Sequence, residues 1–338
     1  MPVTSSPPVL VAPDSFKGTL RATQVAAAIA RGLEGEGWLT DRCPLADGGE
    51  GTLEVLLTTL GGTTAAAQAH DPLGRERSAG FGWLEDGDTA IVEVAAASGL
   101  QLVPEPERDA EAASSAGTGE LIAAAVQAGA RVVLVGAGGS ATTDGGAGAV
   151  AALEAAGGLR GTRLAVLCDV RTPWEDAARV FGPQKGAGPE AVRRLSRRLR
   201  AQAQRLRRDP RGVPMTGAAG GLAGGLWAAY DAVLEPGAPF ILDALGFDAR
   251  MRAARALVVG EGRLDRTTLE GKAAGEAATR ARQAGVPCHA IAGSSTLDAF
   301  DARILDLQGI VAASSLAELE AAGAVLGRRL TAESRPAG

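Results

Sequence analysis

GGSATTDGGAG, residues 138–148, follows the apolar run RVVLV (131–135) and leads into an alanine-rich segment. The stretch contains five glycines, three hydroxyl side chains and one carboxylate. Glycine inside a helix or strand costs roughly 0.5–1 kcal/mol relative to alanine, so this density of glycine predicts a loop between a buried strand and a helix. Glycines bring backbone N–H groups close to a ligand and a helix N-terminus adds partial positive charge, which makes the loop a candidate phosphate cradle. A tight turn without a ligand would explain one or two of the glycines.

Strand–loop–helix units also occur near both ends of the chain. VLVAPDSF (9–16) and DRCPLADGGEGT (41–52) each have the pattern of a strand that runs into a loop, and ALVVGEGRLD (256–265) repeats it. Residues 63–104 instead alternate as in antiparallel strands. We therefore predict an α/β fold with two domains. A Rossmann-like parallel-sheet domain would be built from residues 1–70 and 236–338, and an α/β domain with a mixed sheet, residues 71–235, would be inserted into it. A single helix is predicted over residues 240–254.

Composition excludes several classes of protein. A formal net charge of −5 argues against a nucleic-acid or anionic-membrane surface, and no apolar run approaches the roughly 18 residues that a bilayer crossing needs. The eight arginines of residues 190–208 are therefore expected on a solvated helix face. The opening MPVTSSPP lacks the features of a secretory signal, and three widely spaced cysteines fit buried reduced thiols. We expect a cytoplasmic protein that binds neither nucleic acid nor membrane.

The basic residues are unusual in kind. Of 34 lysines and arginines only three are lysine, namely Lys17, Lys185 and Lys272, and each stands beside a glycine. An ammonium group is a compact charge with freely aimed donors, whereas guanidinium is a planar fork. Lysines that persist beside glycines against such a bias are typical of sites where a point charge meets a phosphate near the backbone. Chance survival is the alternative, and the shared loop context favours the functional interpretation.

Acidic side chains follow several predicted strands. Asp47 and Glu50 lie in ADGGEGT, Asp169 in CDV, and Glu261 in GEGRLD. Each could be a turn or a helix cap, but carboxylates, lysines and glycine-rich loops together are what Mg²⁺-dependent phosphoryl transfer needs. Two histidines and the absence of GxSxG argue against a zinc enzyme or a serine hydrolase. GAGGSA (136–141) matches a dinucleotide fingerprint weakly, so a dehydrogenase stays an alternative.

Seven motifs, taken in order, resemble those of bacterial type I glycerate kinases over nearly the whole chain: VAPDSFKGTL, LADGGEGT, GGSATTDGGAG, CDV-TP, FGPQKGA, GAAGGL and GEGRLD-T-EGK. The resemblance implies a two-domain α/β kinase with its active site in the cleft between the domains. It also implies ATP and Mg²⁺ as cofactors and D-glycerate as the substrate, with 2-phosphoglycerate as the product. Thr172, Thr267 and Ala274 stand where the family tends to have Asn, Gln and Pro.

Combining the motifs with the resemblance, we predict a set of site residues. The catalytic group comprises Lys17, Asp47, Asp144, Asp169 and Lys185. Asp47 and Asp169 are the predicted Mg²⁺ ligands. The predicted cofactor-binding residues are Gly138, Gly139, Ser140, Thr142, Thr143, Gly145, Gly146, Glu261, Arg263, Asp265 and Lys272. Arg263 could alternatively clamp the substrate carboxylate through two hydrogen bonds.

Three alternatives remain open at this point. The kinase could give 3-phosphoglycerate or act on another small hydroxy acid. The chain could be an NAD(P)-dependent hydroxy-acid dehydrogenase, or a sugar-acid-binding regulator without catalytic activity. In each case we expect a monomer or a homodimer whose partners are small molecules.

Overall fold

The computed structural model describes residues 7–333, in which strands and helices alternate along most of the chain. The strands are β1 (Val9–Pro13), β2 (Thr40–Arg42), β3 (Gly62–His70), β4 (Glu76–Leu84), β5 (Thr89–Glu93), β6 (Val132–Gly136), β7 (Arg163–Cys168), β8 (Val233–Pro236), β9 (Ala256–Leu264), β10 (Cys288–Ser295) and β11 (Leu307–Ala312). The helices are α1 (Ala22–Gly35), α2 (Thr52–Leu60), α3 (Val94–Ser98), α4 (Ala116–Gln127), α5 (Ala147–Ala155), α6 (Ala177–Phe181), α7 (Pro189–Ala203), α8 (Leu222–Tyr230), α9 (Gly237–Ala244), α10 (Phe247–Ala253), α11 (Ala273–Ala284), α12 (Ala299–Ile304) and α13 (Leu316–Glu333). Part of the opening segment, used above to argue against a secretory signal, lies outside the described residues.

The chain divides into two compact units. Unit 1 contains the chain up to Asp47 and from Ile241 onward, and unit 2 contains Gly48–Phe240. Both divisions differ from the predicted ones at 70/71 and 235/236. The first lies earlier because β3 pairs with β4 along its whole length, and α2 packs so closely on β4 that a Cβ at Gly82 would lie 2.1 Å from Leu53 Cδ1. The second lies later, within α9.

Unit 1 is built on a five-stranded parallel sheet in the order β11-β10-β9-β1-β2. The chain moves from β1 to β2 in one direction and from β9 through β10 to β11 in the other. The strand order therefore reverses between β1 and β9. In open α/β sheets ligands bind at such a reversal, in the crevice outside the carboxyl ends of the strands. The residues that follow β1, and those at the end of β9, occupy this place.

The core of unit 1 relies on small aliphatic side chains. Val11, Ile29 and Leu326 are fully or almost fully buried in one cluster between the sheet, α1 and α13. The two helices pack very closely, since a Cβ at Gly32 would lie 2.0 Å from the backbone oxygen of Glu320. Each buried Val, Leu or Ile contributes roughly 1.5–3 kcal/mol, so a core with few aromatic residues still holds the sheet in place.

Two predicted elements of unit 1 have different bounds in the structure. ALVVGEGRLD (256–265) was predicted as a strand that runs into a loop, whereas β9 occupies nearly all of it and continues to Leu264, because it keeps pairing with β10 beyond the end of β1. The single helix predicted over residues 240–254 is two helices, α9 and α10. The break lies at Gly246, which adopts a positive φ of 61°.

Unit 2 is built on a mixed six-stranded sheet in the order β3-β4-β5-β6-β7-β8. The pairs β3–β4 and β4–β5 are antiparallel, and β5 to β8 are parallel. The carboxyl ends of β6 and β7 therefore meet at one edge, where loop 138–148 and Asp169 follow. One parallel sheet and one mixed sheet confirm the predicted α/β fold class.

Other expectations can be compared with the described residues. The three cysteines, Cys43, Cys168 and Cys288, are buried and free, as predicted. Within residues 7–333, no helix combines the length and the apolar character that a membrane crossing requires.

Candidate active site

Asp14 lies at the strand-order reversal of unit 1, directly after β1. Its backbone N–H donates to Gly260 O at 2.8 Å, and its Oδ1 accepts the N–H of Ser15 at 2.6 Å. The side chain is 4 % exposed. Burial, together with the nearby charge of Asp47, raises the pKa of Asp14 to about 8. Sequence reasoning missed this residue, although an acid directly after a buried strand was the available signal.

Lys17 and Asp47 form an ion pair in the same place. Lys17 Nζ lies 2.9 Å from Asp47 Oδ2, and the lysine side chain is 57 % exposed while the aspartate is 3 % exposed. Asp47 is held near Asp14 because the segment after β2 stays bonded to β1, with Leu45 N donating to Pro13 O at 2.8 Å. The charge of Lys17 thus partly offsets two crowded carboxyl groups and stays accessible to an anion.

Glu261 and Lys272 form a second ion pair across the end of β9. Glu261 is 5 % exposed, and its two carboxylate oxygens accept hydrogen bonds from Lys272 Nζ and, at 2.9 Å, from Thr268 Oγ1. Lys272 occupies the N-cap position of α11, and its ammonium group is held by Glu261. The structure therefore brings together two predicted site residues that are eleven positions apart.

Arg263 and Asp265 lie near this pair, and they differ in how far their side chains are held by hydrogen bonds. Arg263 Nε is 3.5 Å from Asp265 Oδ2, and the arginine side chain is largely exposed. Asp265 accepts the backbone N–H and the hydroxyl of Thr267, and these hydrogen bonds lower the pKa of Asp265. Asp265 is thus a local cap of the turn 266–270, whereas the Arg263 guanidinium can reach a ligand.

A cavity of about 440 Å³ opens at this end of the unit 1 sheet. Three of the predicted residues with positive charge, Lys17, Arg263 and Lys272, line it together with Glu261. The remaining lining residues, which sequence reasoning did not single out, are Ser15, Phe16, Thr19, Gly262, Gly293 and Ser314. The cavity therefore combines cations, hydroxyl groups and glycine backbone, a set that suits an anionic ligand.

Loop 138–148 of unit 2 leads from β6 into α5. Lys185 enters this loop from the turn Pro183–Lys185, and its Nζ donates to Ser140 Oγ at 2.9 Å and to Thr142 O at 2.6 Å. The lysine is 2 % exposed. Burial lowers the pKa of Lys185 to about 7, although the charges of Asp144 and Asp169 act in the opposite direction. The third lysine is therefore a buried group that organises the loop.

Asp144 also organises the loop. Its Oδ2 accepts hydrogen bonds from Ser115 N at 2.9 Å, Ser115 Oγ at 2.7 Å and Gly148 N at 3.1 Å. Its Oδ1 accepts the N–H of Gly146 at 3.0 Å. A carboxylate at a helix N-terminus satisfies backbone donors and interacts favourably with the helix dipole. These contacts favour a positioning role for Asp144, and its predicted catalytic role stays a prediction.

The hydroxyl groups of the loop lie inside unit 2. Thr142 and Thr143 are fully buried, and neither Oγ1 has a hydrogen-bond partner among the described residues. Ser140 is also buried and accepts the bond from Lys185. The predicted contact of these hydroxyls with a ligand therefore requires the loop to move, since an enclosed group is out of reach of a bound molecule.

Close packing against neighbouring residues requires glycine at several positions of the loop. A Cβ at Gly138 would lie 2.4 Å from Gly49 Cα, and one at Gly145 would lie 2.6 Å from Trp174 Cη2. Gly139, Gly145 and Gly146 adopt positive φ angles of 68°, 65° and 71°. Packing and backbone conformation thus account for more of the glycines than the one or two expected of a plain turn. Glycine density alone is therefore weak support for a phosphate cradle.

Asp169 follows β7 at the same sheet edge and is partly exposed. Its negative charge raises the pKa of buried Lys185, which burial lowers, so the structure brings these two predicted catalytic residues near each other. The dinucleotide fingerprint at 136–141 lacks its structural context, because α5 begins only at Ala147.

The acidic side chains of this region decide whether a metal ion could bind. Within residues 7–333, no group of three or more His, Cys, Asp or Glu side chains is arranged to hold a metal ion. Asp14 and Asp47 nevertheless offer hard oxygen donors, and their mutual repulsion contributes to the raised pKa of Asp14. Mg²⁺ is commonly bound through one or two carboxylates plus substrate phosphates, so this pair fits such an ion.

Comparison with known proteins agrees with the geometry. The family model described as the glycerate kinase family matches residues 9–157 and 154–324. The chain is 36 % identical to glycerate 2-kinase of Escherichia coli K12 over 329 residues, which covers 86 % of each chain. It is 38 % identical to glycerate kinase of Bacillus subtilis 168 over 330 residues, again covering 86 % of each.

A solved structure extends the similarity to the fold. The crystal structure of a protein of Salmonella typhimurium LT2, assigned as glycerate kinase 2, superposes with a TM-score of 0.82 at 33 % sequence identity. The match covers 97 % of this chain and 99 % of that one. Sequence, family model and fold lead to the same conclusion: this chain belongs to the glycerate kinase family.

Proposed function

We propose that this chain transfers the γ-phosphoryl group of ATP to the 2-hydroxyl of D-glycerate, and that each unit binds one substrate. ATP-dependent phosphorylation of glycerate follows from family membership. The observation that supports the assignment of ATP to unit 1 is the cation-lined cavity at the strand-order reversal of that unit. The reaction takes place in the cytoplasm, where ATP is abundant, and the protein is a monomer or a homodimer.

The unit 1 cavity suits the nucleotide. Its volume of about 440 Å³ is far larger than a three-carbon acid needs and lies within the range of roughly 300–1,000 Å³ typical of larger ligands. Lys17, Arg263 and Lys272 supply positive charge for the phosphate chain. The phosphoryl groups compete with Asp47 and Glu261 for the two lysines, so nucleotide binding frees carboxylate oxygens next to the phosphates.

Those carboxylates fit Mg²⁺. Asp47, with Asp14 beside it, would hold the ion together with phosphate oxygens, and the ion would supply charge neutralisation for the transferring group. Lys17 would keep the phosphate chain oriented beside this pair. Asp169, the other predicted Mg²⁺ ligand, acts instead as the proton acceptor for glycerate.

Glycerate is assigned to unit 2. Once the loop moves to admit the substrate, Lys185 and loop 138–148 supply a cation and backbone donors for the carboxylate, and Asp169 at the end of β7 accepts the proton of the attacking hydroxyl. Because the transition state of phosphoryl transfer is loose, orientation of glycerate contributes more than proton removal. Asp144 fixes the position of the loop relative to the start of α5, as its four hydrogen bonds indicate.

The reaction is tested by incubating the protein with ATP, Mg²⁺ and D-glycerate and identifying the product by ³¹P NMR. We expect a 2-phosphoglycerate signal that depends on glycerate. A 3-phosphoglycerate signal would overturn the regiochemistry and leave the kinase. Absence of any glycerate-dependent phosphoester would overturn the substrate, and other small hydroxy acids would then be compared.

The substrate assignment is tested by paired variants. Lys17→Met and Lys272→Met should each raise the KM for ATP about tenfold, because a hydrogen bond to a charged group contributes roughly 1.5–3 kcal/mol. The KM for glycerate should stay within about twofold. Arg282→Met, an exposed residue of α11, is the matched control. A raised KM for glycerate with an unchanged KM for ATP would reverse the assignment.

A further inference from the structure

Three side chains from one segment bind backbone oxygens of loop 138–148. Lys185 Nζ binds Thr142 O at 2.6 Å, as described above. Arg198 Nη2 donates to Thr143 O at 2.9 Å, and Gln202 Nε2 donates to Gly145 O at 3.1 Å. Lys185, Arg198 and Gln202 are together called the loop clamp. Arg198 and Gln202 lie on α7, four residues apart, and therefore project from the same face of that helix.

Arg198 connects two segments at once. While Nη2 binds Thr143 O, its Nη1 donates to Glu111 O at 2.8 Å. Segment 111–114 leads directly to Ser115, whose N–H and hydroxyl both donate to Asp144 Oδ2. The planar guanidinium fork can satisfy two carbonyls in fixed directions, which a single ammonium group on a flexible stem cannot copy. Arg198 is exposed, as expected along residues 190–208, but its guanidinium group also binds two backbone carbonyls.

The clamp acts on a closely packed part of the loop. A Cβ at Gly145 would lie 2.4 Å from Gln202 Oε1 and 2.6 Å from Trp174 Cη2, so the loop, Gln202 and Trp174 touch. Trp174 Nε1 in turn donates to Leu199 O of α7 at 2.9 Å. Loop 138–148 is therefore seated on α7 by side-chain and backbone contacts together.

We propose that Arg198 and Gln202 are positioning residues for glycerate binding. By holding the oxygens of Thr143 and Gly145, they set the direction of the loop backbone that, in the proposed function, receives the glycerate carboxylate. The inference rests on that proposed function. It assigns a part in substrate affinity to α7, whose arginine-rich sequence alone indicates a solvent-facing helix.

The test compares Arg198→Met, Arg198→Lys and Gln202→Glu with the control Arg197→Met, an exposed neighbour on α7. Gln202→Glu keeps the shape and removes the donor to Gly145 O. We expect Arg198→Met and Gln202→Glu to raise the KM for glycerate about tenfold and to leave the KM for ATP within about twofold. Arg198→Lys should be nearly as impaired as Arg198→Met. Arg197→Met should match the parent protein.

A second readout separates positioning from general weakening of the fold. In Arg198→Ala, added guanidinium ion should lower the KM for glycerate again, because it can occupy the vacated fork site. Circular dichroism and Tm identify any variant that fails to fold, and Gln202→Glu then carries the test. Unchanged KM values in folded Arg198→Met and Gln202→Glu would overturn the positioning role.

The same measurements distinguish failure of the proposed function from failure of the positioning role. A parent protein without glycerate-dependent phosphorylation would overturn the proposed function itself. A rise in the KM for ATP alone in the clamp variants would overturn the assignment of the loop to glycerate. A glycerate-specific effect that guanidinium rescues supports the inference.

Discussion

Asp14 is a carboxyl group whose burial has a measurable consequence. Its pKa is raised from 3.8 to about 8, first by burial and then by the charge of Asp47. The folded protein therefore keeps a proton that the unfolded chain releases near pH 3.8. Folding binds that proton between about pH 4 and pH 8, so this group's contribution to stability is fully present below pH 3.8 and is lost as the pH rises toward 8.

Asp14→Asn should remove this dependence. We expect the variant to gain about 1 kcal/mol or more of unfolding free energy relative to the parent at pH 9, and much less at pH 4. Urea unfolding at the two pH values measures the difference. Asp88→Asn, at an exposed turn, is the control and should change neither value. Equal gains at both pH values would show that Asp14 is not protonated in the folded protein.

Lys185 carries a second prediction at the scale of one residue. It is buried and binds Ser140 and the backbone of Thr142. Lys185→Met keeps most of the volume and loses the charge and both hydrogen bonds. Loss of one preorganised donor costs roughly 10²–10³ in rate, so kcat/KM should fall at least about a hundredfold. Arg179→Met on α6 should leave it unchanged, and near-normal turnover of folded Lys185→Met would remove this residue from the site.

Single residues were partly predictable from the sequence. Lysine was rare enough to mark Lys17, Lys185 and Lys272, and the structure places two of them on the unit 1 cavity. Asp14 was not singled out because an acid directly after a strand is also common as an ordinary turn residue. The charges of Asp47 and Glu261 that help to raise its pKa lie far away in the chain and come near only when β1, β2 and β9 pair.

Loop 138–148 provides a prediction at the scale of an element. Gly139 and Gly145 both adopt positive φ, but they differ in the space available to a side chain. At Gly139 a Cβ would have its nearest neighbour at 3.4 Å, whereas at Gly145 it would meet Gln202 and Trp174 at 2.4 and 2.6 Å. The two positions thus separate the cost of the backbone conformation from the cost of the steric clash.

Gly139→Ala should cost roughly 1–2 kcal/mol, the penalty of a left-handed backbone. Gly145→Ala should cost roughly 2–5 kcal/mol, since overpacking adds about 1–3 kcal/mol to the same penalty. Urea denaturation of both variants gives the comparison. Equal losses would indicate that the loop relaxes around the added methyl group and is less firmly seated on α7 than its contacts suggest.

Sequence patterns located most elements and misjudged where some of them end. ALVVGEGRLD (256–265) was predicted as a strand that runs into a loop, whereas pairing with β10 keeps the chain extended as far as Leu264. A similar limit applies to the five glycines of loop 138–148. A ligand and a close protein neighbour demand the same small residue, so sequence alone could not separate the two causes. The contacts of Gly138 and Gly145 favour the protein neighbour.

At the scale of the whole molecule, the sequence predicted one parallel and one mixed sheet, but it did not predict where the chain divides between them. Alternating strand and helix patterns at both ends predicted the parallel sheet, and the change near residue 63 predicted the mixed one. The division at Asp47/Gly48 depends on which sheet α2 covers. That choice rests on the tight fit of Leu53 against Gly82, a tertiary contact that periodicity does not report.

The balance of charge in unit 1 leads to the last prediction, which concerns Mg²⁺. The buried carboxylates of Asp47 and Glu261 are already compensated, the first by Lys17 and the second by Lys272, and Asp14 is compensated by holding a proton. Among the described residues, each of these three buried carboxyl groups is thus already compensated, and the fold does not need a cation to hold them. Treatment with EDTA should therefore leave Tm and circular dichroism unchanged in the absence of nucleotide.

Turnover should behave differently under the same treatment. When ATP draws Lys17 and Lys272 toward its phosphates, the carboxylates lose their partners and a divalent cation becomes necessary to neutralise the assembled charge. EDTA should abolish phosphorylation of glycerate, and Mg²⁺ in excess of ATP should restore it fully. ATP with Mg²⁺ should raise Tm more than ATP alone, because only the complete set binds the folded state tightly. A Tm that drops on EDTA treatment before any nucleotide is added would instead indicate a cation that belongs to the fold.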